Sequence, residues 1–447
     1  MEIISRPIEL AQKVCGVQKP CPGDWRMTRH CITVPCEEGV LLYHTLTGEL
    51  LLLTEGEWAA RDTDPALRVE LFRRRFLVPA DFDENRYADQ VIQLAKLFNK
   101  AQKGVTRFTI FTTLDCNARC FYCYQMGRKR PRMSIQTAHD AAAYMARVSL
   151  GQKVKIQWYG GEPLYNREVI DTILTDLRAQ DIPYESTMIS NGYLFDPALI
   201  ETAKNDWKLK WVQIPLDGTE EVYNRAKAFI YREGSAFRHV LDNIGLLLDA
   251  GIGVIVRLNV DNKNADDLTL LVEELGRRFG GRKGIRVYDA CLMDYGNNKV
   301  HAFSDEASGL QKYKELSEKI RQLGLSGNVG IPRELKINAC MADSDGAVTI
   351  LPNGELGKCD HYTEDHFIGS IYSDTLDQKE IERMKEPRDN TPACSDCAYY
   401  PQCRELKYCF GRGGKCTAVL RGANLQFLHE CVRNTYEKQR RKHETDR

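Results

Sequence analysis

The feature that most constrains this chain is a group of three cysteines, Cys116, Cys120 and Cys123, with the spacing C-x3-C-x2-C. A four-iron cluster that only relays electrons normally takes four thiolates, so three thiolates leave one iron open to a small molecule. Zinc usually takes four ligands in pairs spaced C-x2-4-C, and no partner pair lies nearby. A zinc knuckle and three buried thiols remain as alternatives, but the spacing favours a cluster with one open iron.

Composition indicates the number of domains and the compartment. At 447 residues the chain is long enough for two or three domains. Lys plus Arg equal Asp plus Glu at 62 each, so neither nucleic acid nor an anionic membrane is an expected partner. No apolar segment of a signal peptide begins the chain, and no apolar run reaches about 18 residues, which favours a cytoplasmic protein. In that reducing compartment the 16 cysteines indicate metal or redox sites rather than disulfides.

The middle of the chain is predicted to be an α/β domain. Strand-like and helical segments alternate there in six βα units, which predicts a parallel sheet that closes partly into a barrel, a (β/α)6 relative of the TIM barrel. The predicted strands span 107–113, 154–158, 185–190, 211–216, 253–260 and 284–288. Chemistry is expected at the carboxyl ends of the strands. The cysteine loop follows the first strand, and 160–163, 190–192 and 217–218 follow the next three.

The regions on either side of this core have different patterns. The predicted domains are 1–100, a small α+β domain; 101–300, the core; 301–335, a connecting helix; and 336–447, a cysteine-rich domain. In the first, Thr54 and Glu57 have the spacing of a helix capping box, and an apolar stripe over 87–98 is predicted to pack. In the last, cysteine, glycine and turn residues replace regular periodicity, which predicts a domain held together by metal rather than by an apolar core.

The cysteine loop followed by Gly-Gly-Glu-Pro resembles the radical S-adenosylmethionine (radical SAM) superfamily. In that family the open iron chelates the amino and carboxylate groups of S-adenosylmethionine, and one electron from the cluster cleaves the sulfonium to give a 5'-deoxyadenosyl radical. The resemblance implies that Cys116, Cys120 and Cys123 hold this cluster.

The resemblance also implies a binding site for S-adenosylmethionine. Two glycines let backbone carbonyls approach its ammonium group, and Glu162 adds a charged acceptor. Arg257 and Asn259 alternate with apolar residues and point to one face, where the ligand carboxylate would be a partner. Ser190 and Asn191 either contact the ligand or form a turn. The complete predicted set is Tyr122, Gly160, Gly161, Glu162, Pro163, Ser190, Asn191, Asp217, Arg257 and Asn259.

The segment after the fourth strand departs from the sulfatase-maturase branch of the superfamily. That branch commonly has Ser-Leu-Asp-Gly, whereas this chain has Pro215 in place of the serine. The histidine–aspartate pair and arginine that follow in the branch are replaced by Tyr223, Asn224 and Lys227. Their ligand roles are therefore not carried over.

The C-terminal cysteines resemble the SPASM domain, which holds two auxiliary 4Fe-4S clusters. The resemblance implies a first set of Cys340, Cys359, Cys409 and Cys416 and a second set of Cys394, Cys397, Cys403 and Cys431. Zinc ribbons are the alternative, because C-x2-C is also a zinc spacing. Asp360 stands where sulfatase maturases have a proton-accepting aspartate, or it is a turn residue beside a ligand.

Residues 31–83 resemble the leader-peptide recognition modules of ribosomal-peptide maturases. Such modules are small winged-helix folds that bind the leader as an added β-strand. Cys15, Cys21, Cys31 and Cys36 match no motif and are either unligated thiols or a metal site. Cys291 is a spare ligand or a core thiol.

Together these features predict a radical SAM peptide maturase with three 4Fe-4S clusters. Its radical would remove a hydrogen atom from a precursor peptide, and a thioether from a cysteine, or a C–C cross-link, is the first-ranked product. The implied partners are the precursor peptide, with its leader on the N-terminal domain, and an electron donor such as flavodoxin or ferredoxin. The alternatives are a formylglycine-forming sulfatase maturase, an iron-sulfur electron carrier and a zinc-stabilised peptide-binding module.

Overall fold

The structure is a computed structural model that describes residues 1–9, 11, 23–99, 104–231, 233–292, 300, 306–327, 329–332, 340–403, 406–409, 416 and 418–445. Cys15 and Cys21 lie outside the described residues. No helix in the described ranges is long and apolar enough to cross a membrane.

The N-terminal region is an antiparallel sheet with helices. Its four-stranded sheet has the order β1-β5-β4-β3, and β2 pairs with β6. The strands are β1 (Glu2–Ser5), β2 (Trp25–Met27), β3 (Cys31–Cys36), β4 (Gly39–His44), β5 (Leu50–Thr54) and β6 (Leu77–Pro79), and the helices are α1 (Glu55–Ala60), α2 (Pro65–Arg73) and α3 (Glu84–Asn99). The predicted capping box is confirmed, since the Thr54 side chain accepts from the Glu57 N–H and the Glu57 carboxylate accepts from the Thr54 N–H.

The apolar stripe of α3 was only partly predicted correctly. Ala88, Val91 and Ala95 are buried, whereas Leu94 and Leu97 are 43% and 62% exposed. The prediction that the whole stripe packs is therefore wrong for these two leucines. Ile8 and Leu46 pack in one apolar cluster with Ala88, Val91 and Ala95, so this is the face of the helix that is buried.

The core is a six-stranded parallel sheet flanked by helices, as predicted. Its strands run in the order β12-β11-β10-β9-β8-β7. They are β7 (Arg107–Thr113), β8 (Val154–Gly160), β9 (Tyr184–Ile189), β10 (Leu209–Leu216), β11 (Gly253–Val260) and β12 (Ile285–Cys291). The helices are α4 (Ile135–Ser149), α5 (Arg167–Ala179), α6 (Pro197–Asn205), α7 (Glu220–Lys227), α8 (Ala236–Asp249), α9 (Ala265–Phe279) and α10 (Glu306–Gln322), with a 3-10 turn at Pro163–Asn166.

Alternation along these strands separates an apolar face from a polar face. Val254, Val256 and Leu258 of β11 are fully buried in the main hydrophobic core, together with the apolar residues of helices such as α8. Arg257 and Asn259 point to the opposite face, because successive side chains in a strand alternate. The opposite face can therefore hold polar chemistry while the apolar face stabilises the fold.

The C-terminal region extends the sheet of the core. Strand β13 (Ala347–Ile350) pairs in parallel with β7, and β14 (Glu355–Gly357) and β15 (Gly369–Ser370) follow in antiparallel fashion. The result is a nine-stranded sheet. Helix α11 (Gln378–Met384) and 3-10 turns at Pro392–Cys394 and Tyr400–Gln402 complete the loop region. The cysteine-rich region is thus joined to the core by backbone hydrogen bonds.

A long helix, α12 (Ala418–Thr445), was not predicted. Its Leu428, Val432 and Tyr436 are buried in one cluster with Ile32 and Leu41 of the N-terminal sheet. The expectation that metal rather than apolar packing holds the C-terminal region together is therefore incomplete. This apolar cluster also joins the two ends of the chain.

Two histidines are buried in the N-terminal region. Nδ1 of His44 accepts from the backbone N–H groups of Leu46 and Thr47, both at 3.3 Å. Its ring packs edge to face against Phe76. Burial lowers the pKa of His44 to about 3 and that of His30 to about 4. Both rings are consequently neutral in the folded protein near neutral pH.

We expect the folded state to lose stability as the pH falls from about 6.5 to about 4. Histidines in the unfolded chain bind a proton near pH 6.5, whereas these folded rings do not until the pH is far lower, so the unfolded state binds more protons in this window. The loss at pH 5 is about 2 kcal/mol for each ring. Chemical unfolding under anaerobic conditions at a series of pH values measures it.

The matched variants are His44→Asn and His139→Asn. Asparagine at position 44 offers an acceptor for nearby N–H groups without titrating, so it should reduce the pH dependence. His139 is 48% exposed and pairs with Asp176 at the surface, so its replacement should change the dependence less than that of His44. An unaltered dependence in His44→Asn would contradict the assignment.

Candidate functional site

The cysteine loop and the Gly-Gly-Glu-Pro loop are held together by their backbones. The N–H of Gly161 donates to the carbonyl of Thr113, and the N–H of Glu162 donates to the carbonyl of Asp115, both at 2.9 Å. A Cβ on Gly160 would lie 2.1 Å from the Thr113 oxygen, and one on Gly161 would lie 2.2 Å from the Asp115 oxygen. Both glycines are therefore required by this close approach, whatever ligand they also meet.

The Glu162 carboxylate connects the second and third loops. Oε1 accepts from the Leu164 N–H at 3.1 Å and from Ser190 Oγ at 2.9 Å, and Oε2 accepts from the Asn191 N–H at 2.8 Å. Burial raises the pKa of Glu162 to about 7, although these hydrogen bonds oppose the shift. Among the described residues, Oε2 accepts one hydrogen bond. A carboxylate oxygen can accept two, so Oε2 can accept one more.

Ser190 and Asn191 form a turn that contacts the cysteine loop. Ser190 Oγ donates to Glu162 and accepts from the Gly192 N–H at 3.0 Å, which is the geometry of a turn. Asn191 Nδ2 donates to Asn117 Oδ1 at 2.6 Å and lies 3.8 Å from Cys116 Sγ. This turn therefore fixes the cysteine loop. Asn117 is buried at the centre of these contacts, although it belongs to no predicted site.

Four polar side chains, three of them buried, form a network beside the cysteine loop. Lys227 Nζ donates to Tyr122 Oη at 2.6 Å and lies 3.1 Å from Asp217 Oδ2. Tyr122 Oη in turn donates to Asp217 Oδ2 at 3.1 Å, and Asn259 Nδ2 donates to Asp217 Oδ1 at 2.8 Å. Lys227 and Asp217 are each only 2% exposed. Three predicted site residues thus meet in one place, and Lys227, seen in the sequence only as a departure, is their common partner.

Arg257 and Asp360 approach the site from two different parts of the chain. Nε of Arg257 is buried and has no acceptor among the described residues. Burial alone would raise the pKa of Asp360, but a hydrogen bond and charge from His361 and the charge of Arg257 lower it below its usual value. Asp360 is therefore held as a carboxylate close to the core.

Tyr124 connects the cysteine loop to Asp360. Its hydroxyl donates to the Asp360 carbonyl at 3.0 Å, and its ring lies 4.9 Å from the ring of His361. Tyr124 and His361 belong to no predicted site, because their contact joins two motifs that are far apart in the sequence. Asp360 therefore lies beside the core.

The C-terminal thiols form two groups that differ from the predicted sets. Cys416 lies with Cys394, Cys397 and Cys403 around one pocket, which we call the second thiol set. Cys431, predicted for this set, is buried in the apolar cluster of α12 and the N-terminal sheet, against which Cys397 and Cys403 also pack. Cys416 was predicted for the first set and is not found with it.

The first thiol set consists of Cys340, Cys359 and Cys409. Burial raises the pKa of Cys359, and the negative charges of Asp360, Cys340 and Cys409 raise it further. The possible metal-ligand atoms of Cys359, Asp360 and His361 lie within 4.8 Å of one another, and no other group of three in the described residues is as close. No three sulfur atoms of either thiol set or of the cysteine loop are that close.

We expect Lys227→Met to destabilise the protein by roughly 3–5 kcal/mol, because it leaves the Asp217 carboxylate buried without its charged partner. Adding Asp217→Asn should restore part of this loss, since the double variant no longer buries a lone charge. Denaturant unfolding of the anaerobic protein gives both values.

The control is Lys312→Met, which removes a lysine that is 42% exposed and paired with Asp266. It should change stability little, because exposed ion pairs contribute little. Equal effects of Lys227→Met and Lys312→Met would contradict the role given to the buried network.

The core of the chain is similar to proteins of a known superfamily. Residues 110–275 match the model of the radical SAM superfamily. The chain is 34% identical over 92 residues to the probable GTP 3',8-cyclase of Archaeoglobus fulgidus, which covers 21% of this chain and 29% of that protein. It is 22% identical over 168 residues to the radical SAM cyclopropyl synthase TigE of Paramaledivibacter caminithermalis. This match covers 33% of this chain and 34% of that protein. The chain thus spans about a third or less of the length of these two curated relatives.

Two solved structures share the fold over most of the chain. One is anSMEcpe with bound AdoMet, with a TM-score of 0.55, 15% identity and coverage of 74% of this chain and 96% of that chain. The other is SuiB of Streptococcus suis bound to precursor peptide SuiA, with a TM-score of 0.52, 14% identity and coverage of 86% and 96%. At these identities the likeness shows the fold. The chain therefore carries a radical SAM domain, the domain of an enzyme superfamily that uses S-adenosylmethionine and a 4Fe-4S cluster.

Proposed function

We propose that this chain is a peptide maturase that modifies a precursor peptide by hydrogen-atom abstraction. The observation that carries the proposal is the contact between Tyr124 and the Asp360 carbonyl, which places the first thiol set beside the cysteine loop. The likeness to SuiB, whose structure holds a precursor peptide, supports a peptide substrate. The likeness to anSMEcpe, also solved with a bound peptide, supports it as well.

The residues present fit the cofactors of a radical SAM domain. Cys116, Cys120 and Cys123 offer three thiols from one loop, the number that leaves one iron of a four-iron cluster open. The buried Nε of Arg257 lacks an acceptor among the described residues, and the carboxylate of S-adenosylmethionine would supply one. The spare acceptor capacity of Glu162 suits its ammonium group. When bound, the reduced cluster and S-adenosylmethionine supply a carbon radical that removes a hydrogen atom.

The residues of the chain orient these groups. Asn191 and Asn117 fix the cysteine loop through their side-chain hydrogen bond. Glu162 holds the Ser190–Asn191 turn against the Gly-Gly-Glu-Pro loop. The ion pair of Lys227 and Asp217 fixes Tyr122, which belongs to the predicted S-adenosylmethionine site. A buried, mutually bonded set of side chains keeps water out and holds its geometry between turnovers.

Two auxiliary clusters belong to the proposal. The second thiol set offers four thiols and can saturate its cluster, whereas the first offers three among the described residues. An open iron at the first set could bind a substrate cysteine thiolate, which favours thioether formation over a C–C bond. Asp360, a carboxylate beside this set, is then available to accept a proton from the peptide.

The N-terminal region is proposed to bind the leader of the peptide. Strand β3 forms one edge of the four-stranded sheet and pairs with β4 alone within that sheet. Unpaired backbone groups on a sheet edge can accept a peptide as an added strand. A one-electron donor such as flavodoxin or ferredoxin would reduce the catalytic cluster.

The alternative with support of its own is formylglycine formation, because Asp360 is held as a carboxylate next to Cys359. The two reactions give different products. A thioether retains the sulfur of the substrate cysteine and loses two hydrogen atoms, whereas formylglycine loses the sulfur. Mass spectrometry of the treated peptide distinguishes them.

We expect the reconstituted, reduced protein to form 5'-deoxyadenosine from S-adenosylmethionine, and Cys123→Ala to abolish this product, because the cluster loses a ligand. Cys291→Ala, at an exposed cysteine outside the three thiol groups, should retain it. Chromatography of the anaerobic reaction measures the product. No product from iron-loaded wild type, or full activity in Cys123→Ala, would refute the proposal.

The auxiliary ligands have a separate test. Cys416→Ala should lower the iron and sulfide content and remove one auxiliary cluster signal in electron paramagnetic resonance (EPR), because it takes a thiol from the second set. Cys31→Ala, at a thiol of the N-terminal sheet outside the three thiol groups, should leave both unchanged. Unchanged iron, sulfide and EPR signals in Cys416→Ala would contradict the place of Cys416 in the second set.

A further inference from the structure

Two arginines from different elements lie against the second thiol set. Arg388, in the loop after α11, and Arg421, in the first turns of α12, both line its pocket. Nη2 of Arg388 donates to Cys394 Sγ at 3.6 Å. Nη1 of Arg421 donates to Cys416 Sγ at 3.7 Å. Two guanidinium groups therefore contact two different sulfur atoms of one set.

Arg388 has further donors directed into buried space. Its Nε and Nη1 are buried and have no acceptor among the described residues. Buried donors are normally paired, and a charged group left without acceptors is costly. Cys416 is a further hydrogen-bond partner of the guanidinium, and the neighbouring charges are those of Cys403, Cys394 and Cys416. The sulfide atoms of a cluster bound at this set would supply acceptors for Nε and Nη1.

The surroundings of the first thiol set differ, because a carboxylate lies against one of its sulfur atoms, although the ammonium of Lys358 also acts on Cys340. Cys359 Sγ lies 3.9 Å from Asp360 Oδ1 and 4.0 Å from His361 Nδ1. The carboxylate of Asp360 also acts on Cys340. One set thus has a carboxylate beside its sulfur atoms and the other has two guanidinium groups.

This difference determines which cluster is easier to reduce. Reduction adds one electron, and so one negative charge, to a cluster. Net charge near the cluster and hydrogen bonds to its sulfur atoms set its potential. Positive donors stabilise the reduced form, and a nearby carboxylate destabilises it.

We propose that Arg388 and Arg421 raise the reduction potential of the second auxiliary cluster above that of the first. An electron that enters the auxiliary clusters then resides on the second set, away from the open iron of the first. The inference rests on the two auxiliary clusters of the proposed function and adds the direction of electron flow between them.

The test is a potentiometric titration of the full-length, reconstituted protein with dithionite, followed by EPR. In wild type the second cluster should be reduced at a higher potential than the first. Arg388→Met and Arg421→Met should each shift the potential of the second cluster downward and leave that of the first unchanged. Arg388→Lys keeps the charge but loses the planar donors, so its shift should be smaller than that of Arg388→Met.

The matched control is Arg440→Met, which removes the same charge from the far end of α12. Arg440 pairs with Glu37 and Glu38 of the N-terminal region and lies about 28 Å along the helix from Arg421. It should leave both potentials unchanged. Unchanged potentials in Arg388→Met and Arg421→Met, with iron content retained, would overturn the inference. If Arg388→Met loses iron, the inference is tested by Arg421→Met and Arg388→Lys. An unchanged potential of the second cluster in both, with iron retained, would overturn it.

A failure of the proposed function would be visible separately. The double variant Cys394→Ala, Cys397→Ala should lose one cluster, measured by iron, sulfide and EPR signal. If it loses none, the second set does not hold a cluster, and the proposed cofactor content is wrong. If it loses one while the arginine variants show no shift, the clusters stand and the arginine inference alone fails.

Discussion

The rest of the site depends on the buried carboxylate of Glu162. It accepts three hydrogen bonds from groups in the second and third loops, and the backbone of its own loop is bonded to the cysteine loop. A buried carboxylate is stable only when it is well satisfied, so the loops are held in one arrangement. The three cysteines of the loop are thus positioned by a polar contact at the strand ends, on a scaffold that the apolar face of the sheet stabilises.

The three regions of the chain are structurally continuous. Strand β13 adds the C-terminal region to the core sheet, and α12 packs on the N-terminal sheet. Polar contacts also join the N-terminal region to the loop of the second thiol set. The Arg29 guanidinium donates to the carbonyl of Cys394, and Thr45 Oγ1 donates to the carbonyl of Ala398 at 2.8 Å. A peptide bound at the N-terminal sheet would therefore lie on a body that is mechanically continuous with the proposed auxiliary clusters.

Sequence periodicity predicted the core well because each strand alternates clearly and each helix has one apolar face. The observed β7 and β11 have the predicted bounds, and the other four strands differ by a few residues. Helix α12 was missed although Leu425, Leu428, Val432 and Tyr436 follow helical spacing, because the surrounding cysteine and glycine residues suggested irregular structure. Had that helix been recognised, Cys431 would have fallen on its apolar stripe, since residues three or four apart share a face.

The sequence by itself determined the local chemistry: three thiols on one loop, a glycine pair before a glutamate, and six strands with their polar residues at the carboxyl ends. These features depend on short covalent spacing, which a sequence shows directly. Only the tertiary structure decided which thiols gather, that Lys227 pairs with Asp217, and that Asp360 lies beside Tyr124. Those contacts join residues far apart in the chain, and the packing of α12 and β13 against the other regions sets their geometry.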